Sequence, residues 1–179
     1  MRLCGQKIYL RLLTPDDVGD TYVAWMNDSE ITQYLESRWA VHTKESIRAF
    51  VQAMCESPTN VLFGIFLRDT HKHIGNIKIG NINNIHRYAD VGLIIGDKES
   101  WGKGIASEAI TLATRYAFEE LNLHKLIAGM YEPNLGSYKA FINAGYRDVG
   151  RYTRHFFYQG RYVDGLLVEK CRECREVES

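Results

Sequence analysis

"VGLIIGDKESWGKGIASEAI", residues 91–110, joins an apolar run to a helix-spaced segment through a turn that carries Gly102 and Gly104. Glycine in such a turn lets the backbone take positive φ and lets a ligand come close, and the first helical turn after it presents N–H groups without partners. The stretch is therefore either an anion site, suited to a phosphate or pyrophosphate, or an ordinary tight strand-to-helix turn. Counting narrows the first option. A P-loop needs G-x-x-x-x-G-K-[ST], but five residues separate Gly96 from Gly102, and Gly104 stands where Ser or Thr is required. A dinucleotide fingerprint needs a third glycine three residues after Gly104, where Ser107 stands, in a turn that ends the first strand of a parallel unit.

This turn comes later in its sheet. Upstream, "NVLFGIFLRD", "HIGNIKIGNIN" and "RYADVGLIIGD" alternate or run apolar and are broken by turn-forming residues, which predicts an antiparallel meander. Downstream, "KGIASEAITLATRYAFEELN" has helical apolar spacing and "HKLIAGMY" reads as a buried strand, so a parallel crossover joins the two strands. At the N-terminus "KIYLRLL" alternates as a strand, residues 7–13. Thr14 and Pro15 then open a helix carrying Trp25 and Met26, a short helix follows near 29–36, and Thr43 opens another with Ile47, Phe50, Val51 and Met54 on one face. The chain closes with a short helix ending at Gly145 and two aromatic strands around a Gln159-Gly160 turn. The order β-α-α-α-β-β-β-α-β-α-β-β predicts an α+β sandwich around one mixed sheet.

The 179 residues suffice for one domain with a packed core. Lys plus Arg and Asp plus Glu each number 22, so net charge makes no case for a nucleic-acid or membrane partner. No apolar run approaches the roughly 20 residues of a bilayer span, and "MRLCGQKIYLRLL" alternates instead of forming a signal-peptide block, so a cytoplasmic location is expected. Cys4, Cys55, Cys171 and Cys174 include one C-x-x-C without a second ligand pair, and read as reduced thiols. The histidines of "HKHIGN" and "IHRY" form no helix-spaced pair, so no metal is expected.

At the glycine turn and again downstream the chain resembles the GNAT superfamily of acyl-CoA-dependent N-acetyltransferases, whose pattern [Q/R]-x-x-G-x-[G/A] follows the fourth strand. "ESWGKGIASEA" matches both glycine positions, and "YEPNLGSYKAFINAGY" is similar to the family's N-x-x-[A/S]…G-[F/Y] block. The wording of the first motif resembles the branch of ribosomal-protein N-terminal alanine acetyltransferases and spermidine acetyltransferases. Glu99 departs from the pattern, standing where Gln or Arg is usual. The resemblance covers nearly the whole chain and implies a single acyl-CoA N-acetyltransferase domain over residues 1–179. Its sheet would be mixed and mostly antiparallel, of about seven strands, with helices on both faces and a splayed fourth and fifth strand pair. Acetyl-CoA would lay its pantetheine arm along Leu93, Ile94 and Ile95. Its pyrophosphate would rest on Gly102, Lys103, Gly104, Ile105 and Ala106 beside Trp101. Asn134 and Ser137 would hold the pantetheine or an ordered water, or would simply cap the short helix.

Acyl transfer from a thioester to an amine needs a neutral amine, a polarised carbonyl and a proton for the leaving thiolate. A free N–H near Ile94 or Ile95 answers the second need. For the third, the superfamily's tyrosine position holds Phe141, and the branch's serine corresponds to Ser137, with Tyr138 as the nearest phenol in reserve. The base is His155 or Asp90, or a water chain ending on either. The resemblance assigns the acceptor to the early helices and the final hairpin, which supply Trp25, Tyr34, Trp39, Arg154, His155 and Phe157, with Arg151, Tyr152, Phe156 and Tyr158 nearby. Rings with arginines suit a small amine-bearing metabolite such as a nucleotide-linked amino sugar. The branch favours a protein N-terminal amine. A non-catalytic acyl-CoA-binding domain is the further alternative, and the chain is expected as a monomer or homodimer.

Overall fold

The period-two stretches become strands because one side of each meets helices and the other meets different helices. A computed structural model describes residues 1–172. In chain order it contains β1 (Leu3–Cys4), β2 (Ile8–Leu12), α1 (Asp20–Asn27), α2 (Ser29–Thr32), α3 (Lys44–Glu56), β3 (Val61–Leu67), β4 (His73–Asn83) and β5 (Tyr88–Ile95). It continues with α4 (Ile105–Glu119), β6 (Lys125–Tyr131), α5 (Leu135–Asn143), β7 (Arg147–Tyr158) and β8 (Arg161–Cys171). The strands form one sheet in the order β1-β2-β3-β4-β5-β6-β8-β7, eight instead of about seven because Leu3–Cys4 adds a short edge. Every pairing is antiparallel except β5 with β6, which α4 connects.

Alternation divides the core in two. Phe63, Ile77, Ile79, Val91 and Leu126 face α4 and α5, while Leu13, Leu62, Tyr22, Trp25, Ile47 and Val51 form a second cluster beneath α1 and α3. The α3 face is narrower than its spacing predicts, since Phe50 lies on the flank and is 44 % exposed.

The segment after Thr14 differs from the predicted continuous helix. Pro15–Asp17 is a single 3-10 turn, and α1 starts only after Gly19. The cause is Asp17, whose carboxylate accepts from both Arg11 guanidinium nitrogens (2.6 and 2.8 Å) and from the Thr14 N–H (2.8 Å) and hydroxyl (2.9 Å). Those bonds close the turn on itself. At the other end of the chain, Gln159 (φ 47°) and Gly160 (φ 80°) are both left-handed, as a two-residue hairpin turn requires.

One feature of the sheet positions the site. The parallel ladder of β5 and β6 covers only Tyr88–Asp90 against Lys125–Ile127. Past it the strands separate, and each stays ordered because its other edge is paired. β5 continues on β4 as far as Ile95 opposite Gly75, and β6 continues on β8 as far as Tyr131 opposite Gly165. The wedge thus costs little ladder energy and leaves one edge of residues 91–95 without a strand partner. Among the described residues no helix is long and apolar enough to cross a membrane. Cys171 is exposed at the end of β8, and Cys174 lies outside the described residues.

Candidate active site

The wedge opens into a cleft of about 550 Å³. Leu93, Ile94 and Ile95 line it from β5, and Trp101, Gly102 and Gly104 from the turn. Ile105 and Ala106 line it from the start of α4, and Asn134 and Ser137 from the start of α5. The structure therefore brings together ten of the residues that the two motifs single out. Gly102 (φ 72°) and Gly104 (φ 79°) are both left-handed, and a Cβ on Gly102 would meet no protein atom within 4 Å, so the space in front of the turn is free for a ligand. No side chain caps α4. Its first N–H groups face the cleft unsatisfied, and with the helix dipole they favour an anion.

Other motif residues have structural duties. Glu108 accepts from the N–H groups of Lys7 (2.9 Å) and Ile8 (3.4 Å), tying α4 to β2. Gly96 is required by packing, because a Cβ there would lie 2.0 Å from the Trp25 ring. Lys103 lies outside the lining. Its carbonyl accepts from the Lys7 ammonium at 2.7 Å, which places that cation beside Gly104. Glu99 is exposed and does not line the cleft, so this departure from the pattern sets no acid against the anion site.

At the inner end, the Asn134 side chain accepts from the Ser137 N–H at 3.2 Å. It caps α5 and presents Ser137 to the cleft in one arrangement. A second depression of about 480 Å³ lies between α2, the turn Glu36–Trp39 and the β7–β8 hairpin, walled by Trp39, Phe157 and Tyr158. Glu30 and Gln33 line both spaces and form their common wall. Tyr34 stands on the cleft side, its ring 5.2 Å from Tyr158 and 5.9 Å from Tyr131.

Sequence reasoning missed the residues that hold this depression open. Arg38 donates to the Leu35 carbonyl (2.8 Å), the Tyr131 hydroxyl (3.0 Å) and the Phe157 carbonyl (3.3 Å), and its guanidinium lies 4.3 Å from the centre of the Trp39 ring. Tyr131 donates to Glu36 and stacks on Phe156 at 4.0 Å. Burial raises the Tyr131 pKa above the usual phenol value, with the Glu36 hydrogen bond acting in the same direction. These contacts span three chain segments, so only the end of an apolar strand pointed to Tyr131.

Besides Lys103, five candidates are not brought to the site. Trp25 is 6 % exposed in the second core, edge-on to His73 at 5.1 Å, because it lies on the buried face of α1. Arg154 and His155 fall in a bulge of β7 between Tyr152 and Phe156, where Arg154 has φ 50°. The bulge turns both out to solvent. The Arg154 N–H bonds Asp164 at 2.8 Å, and His155 packs on Tyr152 and Phe156. Asp90 sits on the paired half of β5 and accepts from Asn81 at 2.6 Å. Tyr138 points to β7 and donates to Asp148 at 3.2 Å. None of the five lines either space.

Comparison with known proteins agrees with this geometry. The model of the family described as "Acetyltransferase (GNAT) domain" matches residues 7–147. A probable N-acetyltransferase of Bacillus subtilis, YjcK, is 33% identical over 172 residues, covering 93% of this chain and 94% of its own. A spermidine N-acetyltransferase from Vibrio cholerae, solved with CoA and spermine, superposes with a TM-score of 0.83 at 25% identity, covering 93% of this chain and 96% of its own. The ribosomal-protein-S5-alanine acetyltransferase of Vibrio fischeri shares the fold, with a TM-score of 0.82 at 21% identity over 97% of this chain and 98% of its own.

Proposed function

Since the chain belongs to the GNAT acetyltransferase family and is an N-acetyltransferase, we propose that it takes acetyl from acetyl-CoA bound in the wedge and delivers it to a primary amine entering from the second depression. The observation that carries this reading is the end of the β5–β6 ladder at Asp90 and Ile127, just where the cleft begins that runs to the glycine turn. The pantetheine arm adds to the free edge of Leu93–Ile95 as an extra strand. The pyrophosphate rests on the N–H groups from Gly102 to Ala106, with the Lys7 ammonium nearby. A free N–H of the splayed strand polarises the thioester carbonyl, and the Ser137 hydroxyl gives the departing thiolate its proton.

For the acceptor, the walls of the depression favour a small amine-bearing metabolite with a flat body, such as an amino sugar, stacked between Trp39 and Phe157. Arg151 and Arg154 lie off the depression, so the case for a nucleotide phosphate weakens. A protein amino terminus is the second reading, favoured by the open rim, where Trp39 is 71 % exposed. The deciding experiment offers acetyl-CoA with amino sugars, their nucleotide-linked forms, polyamines, and peptides starting with Ala or Ser. Turnover with an amino sugar supports the first reading, and turnover with peptides alone overturns it.

A further inference from the structure

An attacking amine must shed a proton, yet Asp90 and His155 both lie away from the cleft. The geometry points to Tyr34: its phenol, where the cleft meets the second depression, is a catalytic proton carrier that takes the amine's proton and passes one on through Tyr158 to water. The inference rests on the acetyltransferase reading of this cleft.

Among the described residues that line the cleft, Tyr34 is the only phenol. The position where the family resemblance calls for a tyrosine holds Phe141, 2 % exposed and without a hydroxyl. The Tyr34 hydroxyl donates to the carbonyl of Pro133 at 3.3 Å, next to Asn134, and lies 3.5 Å from the hydroxyl of Tyr158. Tyr158 in turn donates to the Gln33 side chain (2.8 Å) and accepts from Gln159 (3.1 Å), and all three line the second depression. Two hydroxyls in contact thus bridge the two spaces. Each has one proton and two lone pairs, so rotation of the Tyr34 hydroxyl from Pro133 toward Tyr158 makes a relay.

The ionisable groups around Tyr34 are Tyr131 and Tyr158 on its aromatic flank, Glu36 and Arg38 holding Tyr131, and Glu30 and Lys139 on the cleft wall. Burial, followed by the Tyr158 contact, pushes the Tyr34 pKa up to about 12, so at neutral pH the phenol keeps the proton it must pass. In the transfer the carbonyl carbon gains a bond to nitrogen and loses its bond to sulfur. The substrate ammonium first gives one proton to the Tyr34 oxygen as Tyr34's own goes to Tyr158 and Tyr158's to water, and the neutral amine then attacks. The nitrogen's second proton leaves to solvent as the carbon–sulfur bond breaks, while Ser137 protonates the sulfur and is reprotonated from solvent. Two protons leave nitrogen, one reaches sulfur and one is released to water, and no further reactant is consumed.

The test compares Tyr34→Phe and Tyr158→Phe with wild type, using acetyl-CoA and whichever of glucosamine, spermidine or an alanine-started peptide the wild type acetylates. Tyr34→Phe should bind acetyl-CoA within twofold of wild type and lower kcat about 100-fold at pH 7. That deficit should shrink as pH rises toward the amine's own pKa, where the neutral amine no longer needs a carrier. Tyr158→Phe should show the same pH trend at about a tenth of the effect. A Tyr34→Phe rate within twofold of wild type, or a deficit equal at every pH, overturns the inference alone. A wild type that acetylates none of the three amines overturns the acetyltransferase reading together with it.

Discussion

The proposed donor end of the cleft is backbone from one stretch, Leu93 to Ala106, whereas the proposed acceptor end is side chains from three, centred on Tyr34 with Arg38, on Tyr131 and on Tyr158. In the proposed reading, two left-handed glycines, an uncapped helix and a free strand edge would do the binding at the donor end, with few side chains involved. At the acceptor end one arginine and a nest of phenols set the shape. Backbone sites tolerate divergence of everything except glycine, while side-chain sites change with a single residue. The donor half should therefore be common to the family and the acceptor half particular to this chain.

The sharpest way to separate the two halves is Ser137→Ala, which sits where they meet. It should slow turnover about 100-fold and leave acetyl-CoA affinity unchanged, as pre-steady-state acetyl transfer and calorimetry would show. If affinity falls in parallel, Ser137 belongs to the donor half. Next in size is Arg38→Ala, which frees the Glu36–Trp39 turn from β6 and β7. The acceptor KM should rise about tenfold with acetyl-CoA binding intact, and an unchanged KM would remove this turn from the acceptor site.

A smaller effect tests the scaffold behind both halves. Burial opposes ionisation of Asp17, but the hydrogen bonds from Arg11 and Thr14 outweigh it and bring the pKa down to about 2. The folded pKa lies below the unfolded one, so this stabilisation is present above about pH 4 and is lost as pH falls through about 2. Asp17→Asn should cost about 1–3 kcal/mol at pH 7 in urea denaturation, and the gap should close on acidification. A gap independent of pH would mean the carboxylate's charge is not the cause. Least affected should be His155→Ala, with turnover within twofold of wild type, since the β7 bulge holds that ring in solvent. A hundredfold loss would return His155 to the chemistry.

The same contrast explains what the sequence disclosed. Strand and helix periods between residues 61 and 146 translate directly into elements, and the residues proposed for the donor site lie on adjacent positions, so the glycine count marked the turn as a possible anion site. Leu93–Ile95, Asn134 and Ser137 were reached only through the family resemblance of the two motifs. Trp25 misled because an aromatic on an amphipathic helix looks alike whether it faces a cleft or a core. His155 and Arg154 misled because a bulge resets alternation, and nothing in "RYTRHFFYQG" marks where. Tyr131, Glu36 and Arg38 meet only after β6 and the Glu36–Trp39 turn have packed together, contacts of about ninety residues' separation that no local pattern carries.

The central claim is that the Gly102–Gly104 turn and the splayed edge of β5 hold acetyl-CoA. Its most direct measurement is the thermal shift of wild type and Gly104→Glu on adding acetyl-CoA. A glutamate there strains a left-handed position and sets a carboxylate against the pyrophosphate. The wild type should be stabilised by several degrees at saturating acetyl-CoA and the variant, still folded, should show no shift. An equal shift in both proteins would contradict the account.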